Sequence, residues 1–327
     1  MGHILHLSDL HLAVMVRAET AMGQLCSDLT NEIGLKALDA IVVTGDIAET
    51  AQSSEYEASV KFITELREEM EVARENVLIV PGNHDVDWGA ATSSYSVVRA
   101  LDAPGSSVSR YQSPGNRDYV EVVTDSRRYQ RRFANYAQFH LAVTGRNYPH
   151  VYSEQFEVVT SADESVVLVG LNSAWNIDHY HPDRSSIEAG ALNRALLAAK
   201  RRVREIGPSV PIVAVWHHPV YGDAALKDIS FLQRLVVDDV VAVLHGHVHK
   251  PESEQFNYEW SAHGRRLFIL GAGTLDSPDV HRGYPWHYSL ISLEGTQLEV
   301  RSRAKSERDG AWHSDARFLM GDRTSVV

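Results

Sequence analysis

The chain has 327 residues, a formal net charge of −12 and a hydrophobic fraction of 44%. This length and composition are typical of a globular protein with a full core, and they exclude disordered and collagen-like chains. The single cysteine, Cys26, excludes an internal disulfide framework, and the acidic charge disfavours nucleic-acid binding outside a local basic patch.

Three short apolar runs in the first 80 residues have the length of strands and end before polar turn residues. They lie at residues 4–7, 40–43 and 77–80. Apolar residues at helical spacing fill the two gaps between them, at residues 17–38 and 55–70. This alternation predicts parallel strands that are buried under helices.

The second part of the chain has a less regular pattern. Two turn-rich stretches and a candidate helix at 126–143 come first, and a second helix is predicted at 189–206. Strand candidates follow one another at residues 151–159, 165–171, 212–216, 240–244, 267–270, 288–293 and 298–303. Strands on both sides of the chain midpoint predict two packed sheets with helices outside.

Five polar clusters follow predicted strands at their carboxyl ends, where open α/β sheets bind ligands. They are Ser8-Asp9-Leu10-His11, Gly45-Asp46, Pro81-Gly82-Asn83-His84-Asp85, Trp216-His217-His218-Pro219 and His245-Gly246-His247-Val248-His249. The Asp-x-His and His-x-His spacings place alternate side chains on one side of an extended chain, so both can reach one site. Oxygen and nitrogen donors of this kind indicate a site for Mn, Fe, Zn or Ni.

In this order the clusters resemble the motifs of the calcineurin-like metallophosphoesterases: Asp-x-His, Gly-Asp, Gly-Asn-His-Asp/Glu, a lone His and Gly-His-x-His. The resemblance covers residues 4–250. It implies an α/β fold, a four-layer αββα sandwich of two mixed β-sheets flanked by helices, as a single domain over residues 1–327. We expect residues 90–150 to form an insertion over the active-site face, and residues 254–327 to supply terminal strands that complete the second sheet.

The resemblance also implies two divalent metal ions and assigns their ligands. One ion would be held by Asp9, His11 and His249, the other by Asn83, His217 and His247, and Asp46 would bridge the two.

The same resemblance places His84 beside the substrate phosphate, where it is the candidate general acid for the leaving oxygen. Either Asp85 or Glu49 could orient its imidazole. His245 alternates in phase with His247 and His249, and it could support the metal ligands or be a buried structural histidine.

The implied activity is metal-dependent hydrolysis of a phosphoester through a hydroxide that bridges the two ions. The arrangement most resembles that of small phosphodiesterases, so we expect a nucleotide-type substrate. A DNA or RNA nuclease, a phosphomonoesterase and a non-enzymatic scaffold are the alternatives. Arg127, Arg128, Arg131 and Arg132 could contact a polynucleotide backbone, or they could form a solvated helix face.

No apolar run reaches the ~18 residues of a membrane span, and no secretory signal precedes the first strand. We therefore expect a cytoplasmic protein without a membrane partner. Manganese is among the ions that the expected donor set accepts.

Overall fold

The computed structural model of the chain describes residues 2–103, 110–112, 118–258, 265–277, 285–294 and 297–315. Its strands are β1 Gly2–Leu7, β2 Ala40–Val43, β3 Val77–Ile79, β4 Tyr95–Arg99, β5 Arg110–Gln112, β6 Tyr119–Val123, β7 Phe156–Thr160, β8 Val167–Leu171, β9 Ile212–Val215, β10 Val240–His245, β11 Glu252–Tyr258, β12 Arg265–Gly271, β13 Trp286–Glu294, β14 Gln297–Lys305 and β15 His313–Ser314. Its α-helices are α1 Met15–Ser27, α2 Ser53–Glu69, α3 Trp88–Thr92, α4 Ser126–Gln130, α5 Ala134–Thr144, α6 Ala189–Ile206 and α7 Leu232–Val237.

Two six-stranded mixed sheets form the centre of the molecule. The first has the strand order β15-β14-β13-β1-β2-β3, and the second has the order β11-β12-β10-β9-β8-β7. Strands β1, β2 and β3 run parallel, as do β8, β9, β10 and β12. The remaining pairs of both sheets are antiparallel.

The side chains of β1 show how these layers pack. Ile4 faces a core between the two sheets, together with Val42 of β2 and Val213 of β9. Leu5 and Leu7 point the other way, into a core under α1, α2 and α5. A third core lies between the second sheet and helices α6 and α7. The four-layer αββα sandwich is therefore confirmed.

The terminal strands are a correction to the sequence-based expectation. Only β11 and β12 extend the second sheet, whereas β13, β14 and β15 extend the first. Strand β13 pairs antiparallel with β1, with Ile291 opposite Ile4, and both side chains fill the core between the sheets. The pairing follows from burial, because an unpaired β1 would leave backbone polar groups without partners.

The segment expected to be an insertion has two parts. Strands β4, β6 and β5 form a separate small sheet. Helix α5 instead belongs to the outer layer of the first sheet, because Tyr136 and Phe139 pack in the same core as Phe62 of α2. The helix predicted at 126–143 is also divided, since a 3₁₀ turn at Arg131–Phe133 separates α4 from α5.

The first predicted helix is shorter than expected. It ends at Ser27 and continues as a π-helical turn, Asp28–Glu32.

Among the helices of the described ranges, none has the length and apolar character needed to cross a membrane.

Candidate metal centre

The five polar clusters meet where the parallel strands of the two sheets end. Within the first sheet, the Asp9 amide donates to the Gly45 carbonyl at 3.0 Å. Within the second, the Gly246 amide donates to the His217 carbonyl at 2.9 Å. The His217 imidazole then joins the two sheets, because its Nδ1 hydrogen-bonds to the Thr44 carbonyl at 2.6 Å. The strand ends thus form one continuous site.

Three ligand-type side chains converge on the Nε2 atom of His217. It lies 3.2 Å from Asp46 Oδ2, 3.2 Å from Asn83 Oδ1 and 3.2 Å from His247 Nδ1. Donors that share one ion at about 2.1 Å lie about 3 Å from one another. These four residues therefore have the spacing of a single metal site, and they are the set expected for the second ion.

The set expected for the first ion is also assembled. Ligand atoms of Asp9, His11 and His249 lie within 4.8 Å of one another, and His249 Nε2 is 3.1 Å from Asp9 Oδ1. His11 Nε2 is buried and has no hydrogen-bond partner within the described part of the chain. A buried nitrogen of this kind needs a partner, and a metal ion would supply one. Asp9 and Asp46 also group with His217, so the two sets adjoin.

Five of these seven residues have an unusual backbone conformation. The left-handed φ values are 50° for Asp9, 47° for His11, 52° for Asp46, 72° for His247 and 52° for His249. Such residues cost about 1–3 kcal/mol each and persist where the surrounding structure holds them. The turns after β1, β2 and β10 therefore direct these side chains into the site at the expense of local strain.

Close approach of the backbone explains two glycines beside Asp46. Gly45 has φ +89°, and a Cβ there would lie 2.7 Å from His217 Nδ1. A Cβ on Gly82 would lie 2.6 Å from the Asp46 amide nitrogen. Any larger residue at either position would displace Asp46 or His217.

The electrostatics of the site favour a bound cation. Burial would raise the pKa of Asp46, but the neighbouring His217 outweighs it and holds that pKa well below its usual range. Against the same effect of burial, the His249 hydrogen bond and the His217 charge lower the pKa of Asp9 to about 2. Burial and His217 lower the pKa of His247 to about 4, so its imidazole is neutral at pH 7. Deprotonated carboxylates and neutral imidazoles are the forms that bind metals. Burial lowers the pKa of His217, but the Asp46 carboxylate outweighs it and raises that pKa to about 9, so a bound metal would replace the His217 proton.

His84 contacts the site through its backbone, and its ring lies edge-on to the ring of His11, with the two centroids 5.0 Å apart. Its amide donates to Asp46 Oδ1 at 2.9 Å, and its Nδ1 lies 2.7 Å from the Glu49 carbonyl oxygen. Because a carbonyl only accepts, Nδ1 carries the hydrogen and Nε2 is left for another partner. Burial lowers the pKa of His84, but the Asp46 carboxylate and the Glu49 carbonyl outweigh it, so the net shift is upward.

Of the two candidates to orient His84, the structure places Glu49 beside it. The Glu49 carboxylate also contacts His11, a candidate metal ligand, with Oε2 2.8 Å from His11 Nδ1. Asp85 instead points into the protein, where Tyr56 Oη donates to Oδ1 at 3.0 Å and the Gly82 amide donates to Oδ2 at 2.9 Å. Burial and the charge of Asp46 raise the pKa of Asp85 to about 6. Asp85 therefore holds the turn and does not orient His84.

Ser173, which the sequence analysis does not single out, contacts the adjacent histidines His217 and His218. Ser173 Oγ accepts from the amides of His217 and His218, both at 3.2 Å, and lies 2.8 Å from His218 Nδ1. Its signal in the sequence is its position two residues after β8, at the same edge as the other clusters. His245 is buried, and its Nδ1 lies 3.1 Å from the carbonyl of Gly246 next to it.

A cavity of about 480 Å³ lies beside Asn83 and His84. Its other walls include Glu49, Gln52, Val86, Trp88 and Pro182. No lysine or arginine is among the described residues that line it, and Glu49 is its one carboxylate. The cavity is thus apolar on one side and acidic on another.

The arginine group does not form a solvated face as a whole. Arg127, Arg128 and Arg131 are exposed, whereas Arg132 is buried. Arg132 Nε donates to the Ile177 carbonyl at 3.2 Å, and a terminal nitrogen donates to the Trp175 carbonyl. The expectation that Arg132 could contact a polynucleotide is therefore wrong, because its guanidinium is committed to internal carbonyls.

The sequence matches the family model of calcineurin-like phosphoesterases over residues 2–251. The chain belongs to this family. Its members are metal-dependent phosphoesterases with a centre for two divalent ions, and the donor set described above fits such a centre.

The chain is similar to several solved structures, which include a lupin phosphatase and a Plasmodium protein. Purple acid phosphatase PPD1 from yellow lupin (Lupinus luteus) is 10% identical with a TM-score of 0.55, and the match covers 98% of this chain but only 55% of the lupin chain. GAP50 from Plasmodium is 12% identical with a TM-score of 0.46, over 96% of this chain and 88% of its own. At 10% identity the likeness to the lupin phosphatase concerns the fold alone. No curated protein matches the sequence significantly.

Proposed function

We propose that this phosphoesterase is a phosphodiesterase that acts on nucleotide-type substrates. The observation that carries the proposal is the cavity beside His84, whose described walls contain Glu49 and no lysine or arginine. A phosphomonoester would bring a further anionic oxygen beside this carboxylate, with no lysine or arginine side chain to compensate it. A diester replaces that oxygen with an uncharged ester group, so the cavity favours diesters.

Two ions would be held by the residues assembled at the strand ends. Asp9, His11 and His249 would bind one, Asn83, His217 and His247 the other, and Asp46 both. When bound, two divalent ions supply an activated water and neutralise phosphate charge. The side chains Asp9 and Asp46 contribute two negative charges, so the loaded site remains net positive and attracts a phosphate anion.

His84 would donate a proton to the leaving oxygen. The Glu49 carbonyl fixes its Nδ1, and its ring lines the cavity, so Nε2 is the atom available to the substrate.

The nuclease alternative loses support from Arg132, which is buried and internally bonded. The net charge of −12 also opposes polynucleotide binding.

A paired ester assay tests the proposal. The protein is stripped with EDTA, reconstituted separately with Mn²⁺, Fe²⁺, Zn²⁺ or Ni²⁺, and assayed with bis-p-nitrophenyl phosphate and p-nitrophenyl phosphate. We expect a higher kcat/KM for the diester with the best metal. A higher kcat/KM for the monoester would overturn the diester assignment.

A further inference from the structure

The cavity beside His84 has a surface suited to a flat, apolar ring. Trp88 and Pro182 line it, and the Trp88 side chain is 42% exposed although it is a large apolar group. Val86 lines the same cavity and is anchored in a small core with Phe133 and Ile177. A volume of about 480 Å³ lies within the range of small-ligand pockets.

The walls of the cavity are fixed to one another before any ligand binds. The Asp87 amide, next to Trp88, donates to the Arg132 carbonyl at 2.8 Å. The Arg132 guanidinium binds the Ile177 carbonyl in the loop that continues to Pro182. On the third side, Asn135 Nδ2 donates to the Ala51 carbonyl at 2.9 Å, beside Gln52. A preformed pocket loses less conformational entropy on binding than a mobile one.

The polar groups of the cavity argue against a second phosphate and against an acyl chain. A second phosphate would need lysine or arginine side chains, and the described lining has neither. Glu49, Thr50 and Gln52 form a polar rim on one side, and an acyl chain would take the Glu49 carboxylate out of water without a new polar partner. Thr50 Oγ1 already donates to Glu55 Oε1 at 2.8 Å, and Gln52 Nε2 donates to the Thr50 carbonyl at 3.3 Å. Because these groups are already paired, the rim accommodates the polar edge of a ring without selecting a particular base.

We infer that this cavity binds the planar base of a nucleotide, which stacks on Trp88 with little discrimination among bases. The inference rests on the proposed function, because it places the phosphate of the same ligand at the metal centre. Stacking on an aromatic side chain is tolerant of base identity, since every base has a π-face.

The test compares two ligands that share the sugar phosphate, one carrying a base and the other a hydroxyl group in its place. Thymidine 5′-monophosphate and 2-deoxyribose 5-phosphate are titrated calorimetrically into the metal-loaded protein, and both are used as competitive inhibitors of bis-p-nitrophenyl phosphate hydrolysis. We expect the nucleotide to bind roughly 5- to 100-fold more tightly than the sugar phosphate. Trp88→Ala should bring this ratio close to one, and Trp88→Phe should keep most of it.

Two controls make the result specific. Tyr221→Ala removes another exposed aromatic side chain that does not line the cavity, and it should leave the ratio unchanged. Affinity for 2-deoxyribose 5-phosphate should be the same in Trp88→Ala and wild type, which shows that the variant is folded. An undiminished ratio in Trp88→Ala, or a wild-type ratio of one, would overturn the base subsite. The calorimetric ratio does not depend on turnover, so this outcome is distinct from failure of the diester assay.

Discussion

Asp46 is the residue on which both candidate ligand sets depend. Its Oδ2 lies 3.2 Å from His217 Nε2, its Oδ1 accepts from the His84 amide, and its backbone is held at φ 52°. The carboxylate is fully buried, so its charge needs a nearby cation. These constraints make Asp46 the side chain whose loss affects both ions together.

Asp46→Asn keeps the volume of the side chain and removes its charge. We expect fewer than two ions per chain and a loss of kcat/KM for the diester of more than about 100-fold. Elemental analysis and kinetics on the same sample measure both quantities. Asp39→Asn is the matched control, because Asp39 accepts from the His3 amide at the other end of the sheet. Two ions per chain with wild-type turnover would remove Asp46 from the bridging position.

His84 allows binding and proton transfer to be separated. His84→Asn should lower kcat by about 10²–10⁴-fold for a diester with an alcohol leaving group, while metal content stays unchanged. The loss should be smaller for p-nitrophenolate, which departs without a proton. Comparing kcat on the two leaving groups decides the point. Equal losses on both would assign His84 a role in holding the turn.

Most of this site can be predicted from the sequence, because its residues lie in short motifs directly after strands. All seven predicted ligands lie together, since each follows the carboxyl end of a strand in one of two packed sheets, and these strand ends meet. The sequence does not separate Asp85 from Glu49, because which side chain turns inward depends on the turn that Tyr56 and Gly82 complete. Ser173 was missed because a single serine after a strand is common in any sequence.

At the scale of elements, the 3₁₀ turn Arg131–Phe133 connects the cavity walls. Apolar spacing predicts one helix over residues 126–143, and the interruption has no signal in that spacing. Its cause is tertiary: Arg132 turns inward, where its guanidinium lies 4.0 Å from the centroid of the Tyr129 ring and donates to loop carbonyls. A buried arginine at the end of a basic run looks like surface in the sequence.

Replacing Arg132 should loosen the cavity. Arg132→Met leaves the carbonyls of Ile177 and Trp175 without this donor, and we expect the free energy of unfolding to fall by at least about 2 kcal/mol. KM for nucleotide diesters should rise more than kcat falls, since the metal ligands are untouched. Urea denaturation and steady-state kinetics measure these effects.

The neighbouring Arg131 provides the control for this change. Arg131 is exposed, so Arg131→Met should change the free energy of unfolding by less than about 0.5 kcal/mol. Equal destabilisation by both substitutions, or a fall in kcat alone in Arg132→Met, would contradict the role of Arg132 in holding the cavity walls together.

At the scale of the whole molecule, Arg146 connects the two sheets at a point away from the metal centre. Arg146 donates to the Val77 carbonyl of β3 in the first sheet at 2.7 Å. It also pairs with Glu157 of β7 in the second sheet, with Nε 3.0 Å from Oε1. The layers themselves follow from strand and helix periodicity. The strand order does not, because β13 pairs with β1 from the opposite end of the chain, and nothing in a local pattern specifies that partner.

The ion pair between Arg146 and Glu157 predicts a pH-dependent stability. Burial raises the pKa of Glu157, but hydrogen bonds from His140 and Arg146 outweigh it and lower that pKa. A depressed carboxyl pKa stabilises the fold fully above the unfolded value of about 4.3, and this contribution disappears as the pH falls through the folded pKa. Glu157→Gln should therefore destabilise the protein by about 1–3 kcal/mol at pH 7. The difference from wild type should vanish in the acid range below pH 4.3.

Urea unfolding in EDTA from pH 7 downward measures this difference without a contribution from metal release. Glu164→Gln is the control, because Glu164 is half-exposed and pairs with the partly exposed Arg202 at 2.9 Å. An exposed pair of this kind contributes less than about 1 kcal/mol, so its pH dependence should be small. If the effect of Glu157→Gln persisted undiminished at the lowest pH, the stabilisation by Glu157 would depend on side-chain shape and not on its charge.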